Sequence, residues 1–94
     1  MPHSLSAKKR VRQNVRRHQR NRAIKSRIRT ATRRFRQAVE TGDLDTARER
    51  FRDAQRLLHR AANNGPIHRH AAARAISRMQ KHLSQTEETA GQAG

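Results

Sequence analysis

Fourteen lysines and arginines, and not one aspartate or glutamate, occupy the first thirty-nine residues of this chain. They are Lys8, Lys9, Arg10, Arg12, Arg16, Arg17, Arg20, Arg22, Lys25, Arg27, Arg29, Arg33, Arg34 and Arg36. No proline follows Pro2 and no glycine interrupts the run, so the backbone is free to form one long helix. Charge opposes that helix, because like charges one turn apart repel by roughly 0.2–0.5 kcal/mol per pair. A continuous helix therefore needs an outside source of negative charge, and a polyanion is the natural one.

The remainder of the chain is too small to change that conclusion. Ninety-four residues permit one small domain, with 32% hydrophobic and 32% charged residues and a formal net charge of +16. Large apolar side chains are sparse: Leu5, Val11, Val15, Ile24, Ile28, Phe35, Val39, Leu44, Phe51, Leu57, Leu58, Ile67, Ile76, Met79 and Leu83. So thin a core, set against self-repulsion, predicts a free protein that is partly unfolded. Cysteine is absent, which removes disulfides, thiolate metal sites and a cysteine nucleophile, and suits a reducing compartment. No apolar run approaches the roughly 20 residues of a membrane span, and none suits a signal peptide. A transit peptide would also be arginine-rich and acid-free, but here the basic run continues unbroken into a hydrophobic helix face.

Periodicity predicts three helices, at about residues 6–40, 44–63 and 68–84. The first starts near Ser6, read as its N-cap. Ile24, Ile28, Ala31, Phe35, Ala38 and Val39 follow one helical face, whereas Val15 lies about 180° from Ile24 around the axis. The first half should therefore project beyond the bundle. Thr41-Gly42 ends this helix, and Asp43 or Asp45 caps the next. Leu44, Ala47, Phe51, Ala54, Leu58 and Ala61 form its apolar stripe. Asp45–Arg48, Glu49–Arg52 and Asp53–Arg56 stand at ion-pair spacing. Asn63-Asn64-Gly65-Pro66 is a strong stop, with Gly65 suited to the left-handed position. Ala72, Ile76, Met79 and Leu83 pattern the third helix. Residues 85–94 lack a period and read as a disordered tail. The expected fold is all-α: an antiparallel three-helix bundle with an extended basic N-terminal helix, in one domain over residues 1–84.

Arginine outnumbers lysine nineteen to four. Its planar fork grips phosphate bidentately and stays charged, which favours contact with a phosphate backbone. In the first helix the arginines occupy every face, and a helix surrounded by nucleic acid on several sides would use them all. The two aromatics, Phe35 and Phe51, fall on core faces, so no platform remains for stacking unpaired bases. A basic zipper is excluded because the apolar face breaks at Thr41-Gly42. Asn14, Asn21, Ser26, Thr30 and Ser77 are polar candidates for 2′-hydroxyl or base-edge contacts. His68 and His70, two apart and about 200° from one another on a helix, make a poor metal pair. Glu49 and Asp53 are one turn apart among arginines, where ion pairing accounts for them. No catalytic constellation or phosphate loop is present, and no enzyme activity is expected.

Two stretches carry a family resemblance. The first is Ser6-Ala7-Lys8-Lys9-Arg10, then Arg16-Arg17, Asn21 and Lys25-Ser26-Arg27-Ile28-Arg29-Thr30. The second is Gly65-Pro66-Ile67-His68-Arg69-His70, then Ala72-Ala73-Arg74 and Ser77-Arg78-Met79. In order and spacing, over residues 5–83, they resemble the bacterial small-subunit ribosomal protein S-twenty family. The resemblance implies a three-helix bundle whose long first helix is embedded in 16S ribosomal RNA. It also implies direct binding, a role in small-subunit assembly, and a place on the cytoplasmic ribosome. Carried across, Lys8, Lys9, Arg10, Arg16, Arg17, Asn21, Lys25, Ser26, Arg29 and Thr30 become RNA contacts of the first helix. The charge run adds Arg12, Arg20, Arg22 and Arg27. His68, Arg69, Arg74, Ser77 and Arg78 form a second contact set. At position 70 the family usually has Asn, and at position 71 a Lys is common, where this chain has His70 and Ala71.

The sequence thus predicts a structural RNA-binding protein whose partners are 16S ribosomal RNA and the small ribosomal subunit. No cofactor, metal, membrane, small-molecule substrate or homo-oligomer is expected. One rival is a nucleoid-type DNA-compacting protein, equally basic and helical. The other is a membrane-active amphipathic helix, which would confine arginine to one face opposite Trp, Phe or Leu; residues 8–22 are read as showing neither feature.

Overall fold

Each helix ends where its local chemistry forces it to. In the computed structural model, which describes residues 5–93, α1 spans Leu5–Thr41, α2 Leu44–Asn64 and α3 Arg69–Ala93. Residues 1–4 of the expected domain and residue 94 of the expected tail lie outside the described residues. Gly42 stops α1 in the left-handed region at φ 77°. Its N–H donates to the Val39 carbonyl at 3.1 Å, and the Asp43 N–H to the Ala38 carbonyl at 3.1 Å. These two bonds form a Schellman motif and satisfy carbonyls that the helix leaves orphaned. Asp43 then starts α2: its carboxylate accepts from the Thr46 N–H at 3.2 Å and the Thr46 hydroxyl at 2.7 Å. Of the two candidate caps, Asp43 is the one used, and Asp45 sits in the first turn. Gly65, at φ 98°, closes α2 by donating to the Ala61 carbonyl at 3.0 Å.

α2 is the middle element and packs against both neighbours, which run antiparallel to it. Its seam carries Ala47, Ala54 and Ala61 at every seventh residue, all at most 1% exposed. Small side chains there let the flanking helices approach closely. Phe35 of α1 is fully buried and lies 6.1 Å from the Phe51 ring of α2. The His82 ring of α3 meets Phe35 edge to face, also at 6.1 Å, so one aromatic side chain touches all three helices. The remaining large buried residues are Ile28, Val39, Leu58, Met79 and Leu83, with Ile24, Leu57, Ile67 and Ile76 half-covered around them. No polar or charged residue is buried among the described residues.

The overall shape follows from the phase break in α1. Ile28 is its first buried residue, and Val11 and Val15 are half exposed, as their position around the axis predicts. The molecule measures 70 × 21 × 16 Å, with a radius of gyration of 18.4 Å. A compact chain of this length would have about 12 Å, and the difference reflects the projecting arm.

Three boundaries differ from the sequence expectation. Ser6 does not cap α1, because the helix already includes Leu5. His68 does not begin α3 but precedes it as a cap: its Nδ1 accepts from the His70 N–H at 3.1 Å, and its carbonyl from the Ala72 N–H at 3.1 Å. The third difference is the largest. α3 continues to Ala93, so residues 85–93 are helical and not a disordered tail. Periodicity missed this stretch because what holds it is polar. Thr86 and Thr89 donate to the carbonyls four residues before them, both at 2.9 Å, and Glu87 reaches across to Arg48 of α2.

Candidate nucleic-acid interface

The fourteen cations of the first helix face water without protein partners. Every one of them is exposed, and none forms an ion pair among the described residues. Three of the acids are engaged elsewhere. Asp45 takes Arg48 at 3.2 Å, Asp53 takes Arg56 at 2.8 Å and Arg50 at 3.9 Å, and Glu87 takes Arg48 at 3.0 Å. The expected Glu49–Arg52 pair is absent among the described residues, and Asp53 takes Arg50 in addition to the expected Arg56. Arg48, Arg50 and Arg56 of α2 thus have carboxylate partners, whereas none of the fourteen cations of α1 does among the described residues.

The candidate contacts fall into three neighbourhoods. Lys8, Lys9, Arg10, Arg12, Arg16, Arg17 and Arg20 stand on the projecting arm, where no residue is buried. Arg22, Lys25, Ser26, Arg27, Arg29 and Thr30 stand where α1 enters the bundle. Thr30 is half-buried and donates its hydroxyl to the Ser26 carbonyl at 3.1 Å, which leaves its lone pairs free to accept. Ser26, Arg27, Thr30 and Arg34 line a groove against Arg50, Asp53 and Leu57 of α2. On α3, Arg74, Ser77 and Arg78 are exposed and stand about 130–170° around the axis from the core stripe of Ala72, Ile76 and Met79. Lys81 lies on the same outer stripe and was missed by sequence reasoning. Its spacing of three and seven from Arg78 and Arg74 was the available signal.

Tertiary structure brings the two sequence motifs together. The turn between α2 and α3 folds against α1, so that Asn64, Gly65 and Pro66 share a cleft with Arg17, Arg20, Asn21 and Ile24. Ile67 lies beside Arg22, Lys25, Ile28 and Arg29. His68 and Arg69 follow directly, both exposed, so the second contact set begins where the arm leaves the bundle. His68 and His70 are not on opposite sides of a helix: with His68 outside α3, their rings stand 4.7 Å apart. No group of three His, Asp or Glu gathers as it would around a metal among the described residues. No helix is long and apolar enough to cross a membrane among them.

Over residues 8–20 of the arm the charge is one-sided, although Arg22 breaks that division within residues 8–22. At about 100° per residue, the seven cations of residues 8–20 fan over roughly 200°, from Lys8 round to Arg10. Val11, Asn14, Val15 and His18 fill the arc between, all of them exposed and none a lysine or arginine. Arg22, Lys25 and Arg29 return charge to that arc further along, so cations reach every face only when α1 is taken whole.

The family profile described as ribosomal protein S20 matches residues 2–84, nearly nine-tenths of the chain and both motifs. The chain belongs to the ribosomal protein S20 family. Among its S20 relatives, the small ribosomal subunit protein bS20 of Rhodopirellula baltica is 48% identical over 90 residues, covering 96% of this chain and 100% of the relative. The bS20 of Corynebacterium urealyticum is 44% identical over 84 residues, covering 89% and 97%. That of Rubrobacter xylanophilus is 41% identical over 76 residues, covering 81% and 90%. As an S20 protein the chain is a ribosomal, structural protein and not an enzyme. The S20 profile ends at residue 84, so the helical turns of residues 85–93 lie beyond the matched region.

Proposed function

We propose that this chain is a structural constituent of the small ribosomal subunit that binds 16S ribosomal RNA directly and supports subunit assembly in the bacterial cytoplasm. One observation carries the reading: a helix with fourteen exposed cations has no anionic partner in its own protein among the described residues. Ribosomal RNA supplies the counter-charge. Lys8, Lys9, Arg10, Arg12, Arg16, Arg17 and Arg20 grip phosphates along the arm. Asn21, Arg22, Lys25, Ser26, Arg27, Arg29 and Thr30 continue the contact at the junction, next to His68 and Arg69. Arg74, Ser77 and Arg78 hold RNA on the outer face of α3. Binding neutralises α1 and lets it present Ile28, Phe35 and Val39 to α2, so folding and RNA recognition are coupled.

The test is a salt titration of binding to 16S ribosomal RNA. About ten phosphate contacts give a slope of log K against log salt near −7 to −9. A slope near −2 would sink the phosphate-clamp account. Excess duplex DNA in the same assay separates the DNA-compacting alternative, which predicts equal displacement by either nucleic acid.

A further inference from the structure

The one-sided arm says which part of the RNA it meets. If phosphate contact were its whole task, every outward position could be a good helix former bearing charge. Instead Val11 and Val15, residues of lower helix propensity, stand 50% and 51% exposed on a helix that needs help to form. Together with Asn14, His18, Gln19 and, at the end nearest the bundle, Arg22 they line one shallow surface depression. Cations border this ridge on both sides, Lys8 and Arg12 along one edge and Arg10 and Arg17 along the other. That layout is complementary to a surface with an uncharged floor between two anionic walls.

Resting on the proposed RNA-binding role, we infer that the arm lies with its Val11–Asn14–Val15–His18 ridge in the minor groove of a double-helical RNA segment. An α-helix is about 10–12 Å across, and the A-form minor groove is wide and shallow, whereas the major groove is too deep and narrow to read. The floor of the minor groove consists of ribose carbons, 2′-hydroxyls and base edges. Val11 and Val15 cover the ribose carbons, and Asn14, His18 and Gln19 exchange hydrogen bonds with the 2′-hydroxyls. Lys8, Arg12, Arg10 and Arg17 reach the phosphates of the two strands. Lys9, Arg16 and Arg20 then point away from this duplex, toward a second RNA segment, so the arm is held between two.

The discriminating variant adds charge to the ridge. In the full-length protein with both valines replaced, Val11→Arg/Val15→Arg, arginine is the better helix former, so the arm is not unfolded by the change; circular dichroism verifies this. If the ridge faces a groove floor, binding to 16S ribosomal RNA weakens by about tenfold despite two added cations. The salt slope does not steepen. Unchanged or tighter binding overturns the inference, and a phosphate-facing ridge predicts tighter binding with a slope steeper by about 0.7–0.9 per added cation. Vesicles of phosphatidylserine and phosphatidylcholine form the second arm. Binding of the unaltered protein to them that survives excess RNA, and is lost in the variant, assigns the ridge to a membrane and also overturns it. A shallow slope for the unaltered protein rejects RNA clamping itself; a steep one with a variant that binds as well or better rejects only the placement of the ridge.

Discussion

Arg48 on the second turn of α2 donates its Nε–H to Glu87 Oε1 at 3.0 Å, spanning 39 residues of sequence. Arg48 also reaches Asp45 at 3.2 Å, so one guanidinium ties the start of α2 to the last third of α3. Among the described residues Leu83 is the last buried one of α3, and beyond it this pair is a polar link back to the bundle.

Replacing Glu87 with Gln should loosen residues 85–93 without unfolding the bundle. Both side chains are about two-fifths exposed, so the pair is worth at most about 1 kcal/mol to global stability. Amide hydrogen exchange should accelerate in residues 85–93, with a melting temperature nearly unchanged. Exchange identical to the unaltered protein would show that the helix extension holds itself.

Phe35→Ala should be far more damaging. Phe35 is the side chain that joins all three helices, and emptying its site costs about 3–5 kcal/mol. A core of this size cannot absorb that loss. Far-ultraviolet circular dichroism should show helix content falling below the unaltered protein's, and RNA should restore less of it. Val11→Ala, at an exposed position, should leave the free protein's helicity and melting undiminished.

Asp43 gives the acid limb of stability a defined sign. The hydroxyl of Thr46, and then its backbone N–H, hold the Asp43 carboxyl below its ordinary value of 3.8. A carboxylate whose folded pKa is depressed contributes its full stabilisation above the unfolded value and loses it as pH falls through the folded one. The α2 cap should therefore weaken below about pH 3.8 and remain intact above it. Asp43→Ala should lower the melting temperature at pH 5 and flatten its acid dependence. An unaltered acid slope in that variant would remove the cap as its cause.

Charge zoning predicts which arginines RNA feels. Arg16→Ala, Arg17→Ala and Arg20→Ala together should weaken binding to 16S ribosomal RNA and reduce the salt slope by about 0.7–0.9 for each phosphate lost. The same treatment of Arg48, Arg50 and Arg52 should do much less, since Arg48 and Arg50 already have carboxylate partners. Equal losses in the two triple variants would contradict the division.

Much of this architecture is legible in one dimension because helices are read by period and punctuation. Ile28, Ala31, Phe35, Ala38 and Val39 repeat at helical spacing and are the residues that α1 buries. Gly42 and Gly65 stand at the left-handed positions found among the described residues, where other residues pay a steric cost. The candidate interface was equally visible as charge without compensation, since no tertiary contact can hide fourteen cations from an acid-free segment.

Periodicity could not show contacts between distant segments. The α3 extension is tied back by Glu87 finding Arg48, and His68 serves as a cap just after Pro66 has turned the chain onto α1. The sequence by itself determined the three helices, their stops and a basic arm with no packing face of its own. Only the tertiary structure decided how far α3 runs and where the second contact set meets the arm. The reason is physical: a helix is set by bonds four residues apart, whereas docking depends on side chains that meet only after the chain has turned twice.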